Sequence, residues 1–155
     1  MSRIVACFAG LGSGLLLIGA FWFQYGEGLA PCKMCIWQRY PHGAAVALGL
    51  LALFLPSIVV YLAGALSAAT TAGIGVFHAG VEQRWWDGPA SCSAGEIGDL
   101  TTEQLFDQIM SAPMVRCDEI AWELLGISMA GWNAIASGAL VLLWIGAVSL
   151  RAGET

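Results

Sequence analysis

Cys32 and Cys35 form a Cys-x-x-Cys within Pro31-Cys32-Lys33-Met34-Cys35, and Cys92 and Cys117 stand farther along with 24 residues between them. Two thiol pairs brought together can pass a disulfide from one to the other, because exchange needs only a thiolate within attacking distance of an S–S bond. Zinc uses the Cys-x-x-Cys spacing too. Structural zinc ordinarily takes a second close pair, however, and the wide separation of Cys92 and Cys117 suits a disulfide closing a loop better. Cys7 lies inside an apolar run and reads as a small core residue.

The neighbours of the first pair matter for its chemistry. Pro31 suits the first turn of a helix, where a missing N–H costs nothing. A thiol at a helix N-terminus feels the positive end of the dipole, which favours the thiolate. Arg39 follows Cys35 by four residues and would stack one turn below it if the helix is continuous. Pro41 leaves a second arrangement open, in which it begins the helix itself and Cys35 to Arg39 form a separate kinked turn. A charge at this depth, one turn from a redox thiol, reads as functional more readily than as a snorkelling anchor. His42 and His78 fall at helix ends, and His42 reads as an ordinary interfacial residue. His78 and Glu82 share a face if their helix runs on, and could move protons beside a reducible ligand.

Four elements must hold these residues. Of 155 residues, 58% are apolar and only 11% charged, with a mean hydropathy of +0.74. Four runs are long enough to cross a bilayer, about 4–23, 36–55, 58–77 and 127–150. The fold class expected is therefore all-α, an integral membrane four-helix bundle. The first run follows Arg3 like a secretory leader, but it is longer than a leader core and lacks a small-x-small cleavage site before Gln24, so it reads as a retained helix.

Four spans place both termini on one side and the segments about 24–35 and 78–126 on the other. All acidic residues except Glu154 lie in those two segments, so the net charge of −5 belongs to the loops. This argues against nucleic acid and against docking on anionic lipid. Basic residues do not settle orientation, because Lys33, Arg39, Arg84 and Arg116 lie on the loop side and only Arg3 and Arg151 on the other. Cysteine pairs persist in an oxidising space such as the periplasm, which puts the loops outside and the termini in the cytoplasm.

Small residues such as Gly10 and Gly14, and Gly64, Ala68 and Ala72, read as close-packing faces between helices. Trp22, Trp37, Trp85, Trp86, Trp122 and Trp132 fall near the loop-side ends, as belt residues do, although one or two could line a flat aromatic ligand's site. Within the long loop, Thr101-Thr102-Glu103-Gln104 reads as a capping box opening a short amphipathic helix that ends before Pro113. Leu105, Phe106, Ile109 and Met110 form its apolar stripe, for packing on the membrane surface or on the rest of the loop.

Cys32-Lys33-Met34-Cys35-Ile36-Trp37-Gln38-Arg39, His78-Ala79-Gly80-Val81-Glu82, Cys92, and Cys117-Asp118-Glu119 leading to Trp122 and Leu125-Gly126 together resemble the DsbB family of bacterial disulfide bond formation proteins. Bacterial vitamin K epoxide reductase homologues also use four helices and two cysteine pairs, but their Cys-x-x-Cys follows the loop pair. The DsbB resemblance implies a multi-pass protein of the bacterial inner membrane with its cysteines on the periplasmic side. It implies a DsbA-like periplasmic thiol oxidase as partner, and a membrane quinone, ubiquinone or menaquinone, as electron acceptor and cofactor. By this resemblance Cys92 exchanges with the partner and Cys117 is its loop partner. Cys117 then exchanges with Cys32, and Cys35 is released against the quinone. Arg39, His78 and Glu82 would line the quinone site, with no metal. A DsbA-type oxidant has a potential of about −120 mV, which a glutathione pool is too reducing to regenerate. The alternative from another class is a small structural membrane protein with static disulfides or a zinc site.

Overall fold

The computed structural model describes residues 1–89, 92, 101–111 and 115–154. Four long helices run α1 (Ser2–Tyr25), α2 (Lys33–Phe54), α3 (Ile58–Glu82) and, after the short α4 (Thr102–Ser111) and a hairpin of β1 (Glu123–Leu124) and β2 (Ile127–Ser128), α5 (Met129–Ala152). α1 outruns its expected run by two residues at each end. α3 continues five residues past position 77, which brings His78 and Glu82 into the helix.

α1, α3 and α5 are each long and apolar enough to cross a membrane, with mean hydropathies of 2.2, 1.6 and 1.8. α2, with 22 residues, completes the expected four-helix bundle, and Lys33, Gln38, Arg39 and His42 make its first half the most polar stretch of the four long helices. Two of these turn inward, where Gln38 and His42 are buried. α2 is continuous through Pro41, so the arrangement in which Pro41 starts the helix is excluded. Pro41 lacks only the N–H that would bond the carbonyl of Trp37. Pro31 is not in the first turn either: Cys32 is the N-cap, and its sulfur accepts from the Cys35 N–H at 3.3 Å.

Lipid tails are as apolar as the helices, so association rests on close packing. A Cβ on Gly10 would come within 2.8 Å of the Gly49 Cα, which is what lets α1 and α2 touch backbone to backbone. Gly64 of α3 receives the fully buried Trp144 of α5, whose ring would lie 2.5 Å from a Cβ there. Outward, α1 exposes Ile4, Phe8, Leu11, Leu15, Ile18 and Trp22 along one face, the face that lipid would cover.

The two termini meet at one end of the bundle. The Met1 amine lies 3.1 Å from Glu154 Oε1, Ser2 Oγ donates to Glu154 Oε2 at 2.9 Å, and Arg151 adds a third contact at 3.5 Å. Cys32, Cys35, Cys92 and Cys117 occupy the opposite end. There β1 and β2 pair antiparallel across Leu125 and Gly126, with φ of 55° and 74°, the left-handed values that a two-residue hairpin turn requires. This hairpin was not foreseen. It aims the chain into α5 and is tied down where Trp132 Nε1 donates to the Leu124 carbonyl at 3.1 Å.

α4 spans the residues expected after the capping sequence, and Phe106 and Met110 are exposed on it. The capping contact of Gln104 and the stripe positions Leu105 and Ile109 lie outside the described side chains, as does Pro113. Trp22, Trp37, Trp85 and Trp86 are exposed as belt residues are. Trp122 and Trp132 instead wall a cavity. Cys7 is half-buried rather than fully enclosed.

Candidate active site

Cys32 caps α2, and Cys35 sits one turn in, with the two sulfurs 3.0 Å apart as thiols. Cys92 and Cys117 are joined as a disulfide with a Cα–Cα distance of 5.3 Å, inside the range such bonds adopt. The backbone closes the same ring, because the Cys117 N–H donates to the Cys92 carbonyl at 2.8 Å. The sulfurs of Cys32, Cys92 and Cys117 all lie within 4.8 Å of one another. The fold therefore brings a free thiol onto a disulfide, packed against Met34 and Val81. The loop pair is enclosed by the protein. Cys92 and Cys117 are both 0% exposed and turned toward Cys32.

Cys32 is the stronger nucleophile of the inner pair. Its thiol is pulled down to about 4, chiefly by the hydrogen bond from the Cys35 thiol; burial opposes this, while His78 and the Cys35 N–H add to it. The shift favours the thiolate, the form that attacks disulfides. Beside the loop disulfide, Arg116 bonds Asp118 and lies 3.4 Å from Glu119. That guanidinium holds the Asp118 carboxyl below its usual range.

Cys35 opens on another environment. A cavity of about 340 Å³ lies between α1, the start of α2, the start of α5 and the hairpin. Its walls are mostly apolar, from Leu16, Ala20, Phe23, Pro31, Trp122 and Met129 among others, with Cys35, Gln38, Arg39, His42, His78 and Asn133 as the polar exceptions. Arg39 does not bond Cys35. It reaches across to α1, where Nη1 donates to Gln24 Oε1, Nη2 to the Ala20 carbonyl at 3.4 Å, and the guanidinium lies 5.0 Å from the Phe21 ring centroid.

Among the described residues, two buried nitrogens at this cavity have no partner, Arg39 Nε and His42 Nδ1. Burying such groups unbonded costs free energy, and a ligand with hydrogen-bonding atoms of its own would satisfy them. A quinone fits, being a flat apolar ring with carbonyl oxygens at its edge. Glu82, expected in that lining, is absent from it and stands behind His78, with Oε1 3.8 Å from His78 Nε2. His78 Nε2 is 3.5 Å from Cys32 Sγ, so His78 belongs to both environments.

Gln38, Asn133 and Thr71 were not picked out from the sequence, and His42 was read as interfacial. The structure buries His42 at 3% exposure and bonds its Nε2 to Asn133 Oδ1 at 2.8 Å. A signal was there to be used, since Asn133 and Thr71 interrupt otherwise apolar spans, and polar residues at that depth need partners. Cys32, Cys35 and His78 also place three ligand atoms within 4.8 Å of one another, a set zinc could take.

Comparison with known proteins agrees with this geometry. The family profile for disulfide bond formation protein DsbB matches residues 2–147. Disulfide bond formation protein B of Pasteurella multocida (strain Pm70) is 34% identical over 148 residues, covering 89% of this chain and 81% of the relative. The protein of that name from Shewanella sp. (strain ANA-3) is 30% identical over 151 residues, covering 92% and 86%. The one from Verminephrobacter eiseniae (strain EF01-2) is 34% identical over 152 residues, covering 90% and 78%.

Proposed function

Because the chain belongs to the DsbB family of membrane disulfide bond formation proteins, we propose that it reoxidises a DsbA-like periplasmic thiol oxidase and passes the electrons to a membrane quinone. The observation that carries this reading is the placement of Cys32 against the loop disulfide while Cys35, 3.0 Å away, lines the apolar cavity. One sulfur of the pair meets the protein disulfide and the other meets the lipid-soluble acceptor's site.

The partner's thiolate attacks Cys92, so the partner–Cys92 bond forms, the Cys92–Cys117 bond breaks and Cys117 leaves as thiolate. Cys117 attacks Cys32 of an oxidised inner pair, and Cys35 leaves as thiolate. The partner's second thiol then displaces Cys92, releasing the oxidised partner. Cys92 attacks Cys117, restoring the loop disulfide and freeing Cys32. The product state has a closed loop pair and an inner dithiol, the same arrangement as in the structure. Since the loop disulfide is buried there, the partner reaches Cys92 only after the segment carrying it moves off Cys32.

Two electrons and two protons now reside on Cys32 and Cys35. A bound quinone supplies the two-electron, two-proton acceptor that this dithiol requires. Arg39 would hold it through the unpartnered Nε, the apolar wall formed by Phe23 and Trp122 would exclude water, and His78 would hold a proton beside Cys32. In this reading the protein lies in the bacterial inner membrane with its cysteines on the periplasmic side, and the quinone is ubiquinone or menaquinone.

The test is a thiol count. Reduced, detergent-purified protein mixed with a short-chain ubiquinone or menaquinone should lose two thiols per quinone reduced, and Cys35→Ala should lose none. Stoichiometric zinc on Cys32, Cys35 and His78, with no quinone-dependent loss of thiols, would replace the oxidase by a metal site.

A further inference from the structure

A single file of buried hydrogen bonds links α2, α3 and α5, and its direction can be read from a backbone carbonyl, which only accepts. Thr71 Oγ1 donates to the Gln38 carbonyl at 3.2 Å. Its hydroxyl proton is thereby used, so it offers a lone pair to Asn133, whose Nδ2 lies 3.3 Å away and also donates to the Thr71 carbonyl at 3.4 Å. The nitrogen side of the Asn133 amide is thus fixed. Nδ2 also donates to Gln38 Oε1 at 2.7 Å, which leaves the Gln38 NH₂ facing His78 Nδ1 at 3.0 Å. An NH₂ facing a ring nitrogen requires a lone pair there. His78 Nδ1 is therefore bare, and its proton sits on Nε2, 3.5 Å from Cys32 Sγ.

Resting on the thiol-oxidase reading, we infer that Asn133 is a positioning residue that sets the His78 tautomer through Gln38, so that a neutral His78 donates its Nε2–H to the Cys32 sulfur. Sulfur bonds at this length, whereas Glu82 Oε1 at 3.8 Å is beyond an N–H···O bond. The other side of the same amide sets His42. Asn133 Oδ1 accepts from His42 Nε2 at 2.8 Å and from Ser137 Oγ at 3.4 Å, so a neutral His42 too carries its proton on Nε2. Gly75 makes room for this amide, since a Cβ there would lie 3.1 Å from Asn133 Nδ2. Without the amide, Gln38 could turn over and offer its oxygen to His78, moving the ring proton to Nδ1 and withdrawing it from Cys32.

The titratable groups facing His78 and Cys32, among the described residues, are Cys35 from α2 and Glu82 from α3; the Cys92–Cys117 pair is oxidised and does not titrate. Two histidines in the whole chain make the experiment direct. Nitrogen-15 NMR of histidine-labelled, detergent-purified protein, with no quinone or partner added, reads which ring nitrogen is protonated. Both rings of the wild type should carry the proton on Nε2. In Asn133→Asp the carboxylate accepts the Gln38 NH₂, and His78 Nδ1 should become protonated. Alkylation of Cys32 at pH 7, located by mass spectrometry, should slow about tenfold, the scale of one hydrogen bond to a charged group, with a smaller slowing in Asn133→Leu.

A wild-type His78 protonated on Nδ1 alone overturns the inference. So does an Asn133→Asp protein whose His78 nitrogens are unchanged, or alkylation unchanged in both variants alongside a mere loss of stability. If Asn133→Asp fails to fold, the wild-type tautomer and the Asn133→Leu rate decide. A correct tautomer in a protein that reduces no quinone would refute the oxidase reading and leave this one standing.

Discussion

The two ends of this bundle are built from the same four helices on opposite terms. At the terminal end, small residues and one large ring close the interior: Gly10 meets Gly49, and Trp144 fills the space over Gly64. At the cysteine end the helices stand around a cavity of about 340 Å³ and bury Gln38, His42 and His78. An open cavity costs stability. The difference teaches a division of labour in which the terminal half carries the fold and the cysteine half is left imperfect for chemistry.

The largest test of this division is Gly64→Ala. The added methyl would strike the fully buried Trp144 ring, so stability should fall by about 3 kcal/mol, read as a shift in the denaturing-detergent midpoint. Turnover per folded molecule should be unchanged. A lower turnover in the folded fraction would show that the halves are coupled.

Arg39→Leu is the reciprocal change and should act on binding. It removes the charged donor at the cavity, and the quinone concentration for half-maximal turnover should rise about tenfold. Stability should hold within about 1 kcal/mol, because leaving a charge at this depth is itself costly. A large loss of stability would move Arg39 to the structural side of the comparison.

The smallest effect belongs to the clasp at the termini. The Met1 amine and Ser2 hold the exposed Glu154 carboxyl down to about 2 from an ordinary 4.5. A carboxyl depressed in the folded state stabilises above its unfolded value and loses that contribution as pH falls through the folded one. Unfolding midpoints of wild type and Glu154→Gln should therefore differ slightly above pH about 4.5 and converge as pH falls toward about 2. A gap that persists at the acid limit would place the clasp's role elsewhere.

The terminal half was legible in the sequence, because its rules are additive: apolar runs give spans, and small residues at helical spacing give contact faces. The grouping of the cysteines was legible because the Cys-x-x-Cys spacing is local, and the fold brings Cys32 to the loop pair. The site was illegible where the meaning of a side chain lies in its partner. Asn133 is 95 positions from Gln38, and no local pattern joins them. His42 looked interfacial because a histidine at a helix end usually is. Glu82 was placed in the ligand's lining since it shares a face with His78, yet one turn of helix put it behind that ring.

The hydrogen bond from the Cys117 N–H to the Cys92 carbonyl has a kinetic consequence. It depends on neither sulfur, so it can survive when the S–S bond opens. A released Cys117 thiolate then stays tethered near the sulfur it left, and the loop pair behaves as a reactant with a high effective concentration of its own partner. Reclosure would outrun capture by stray thiols, and the outer pair would spend little time as two separate cysteines.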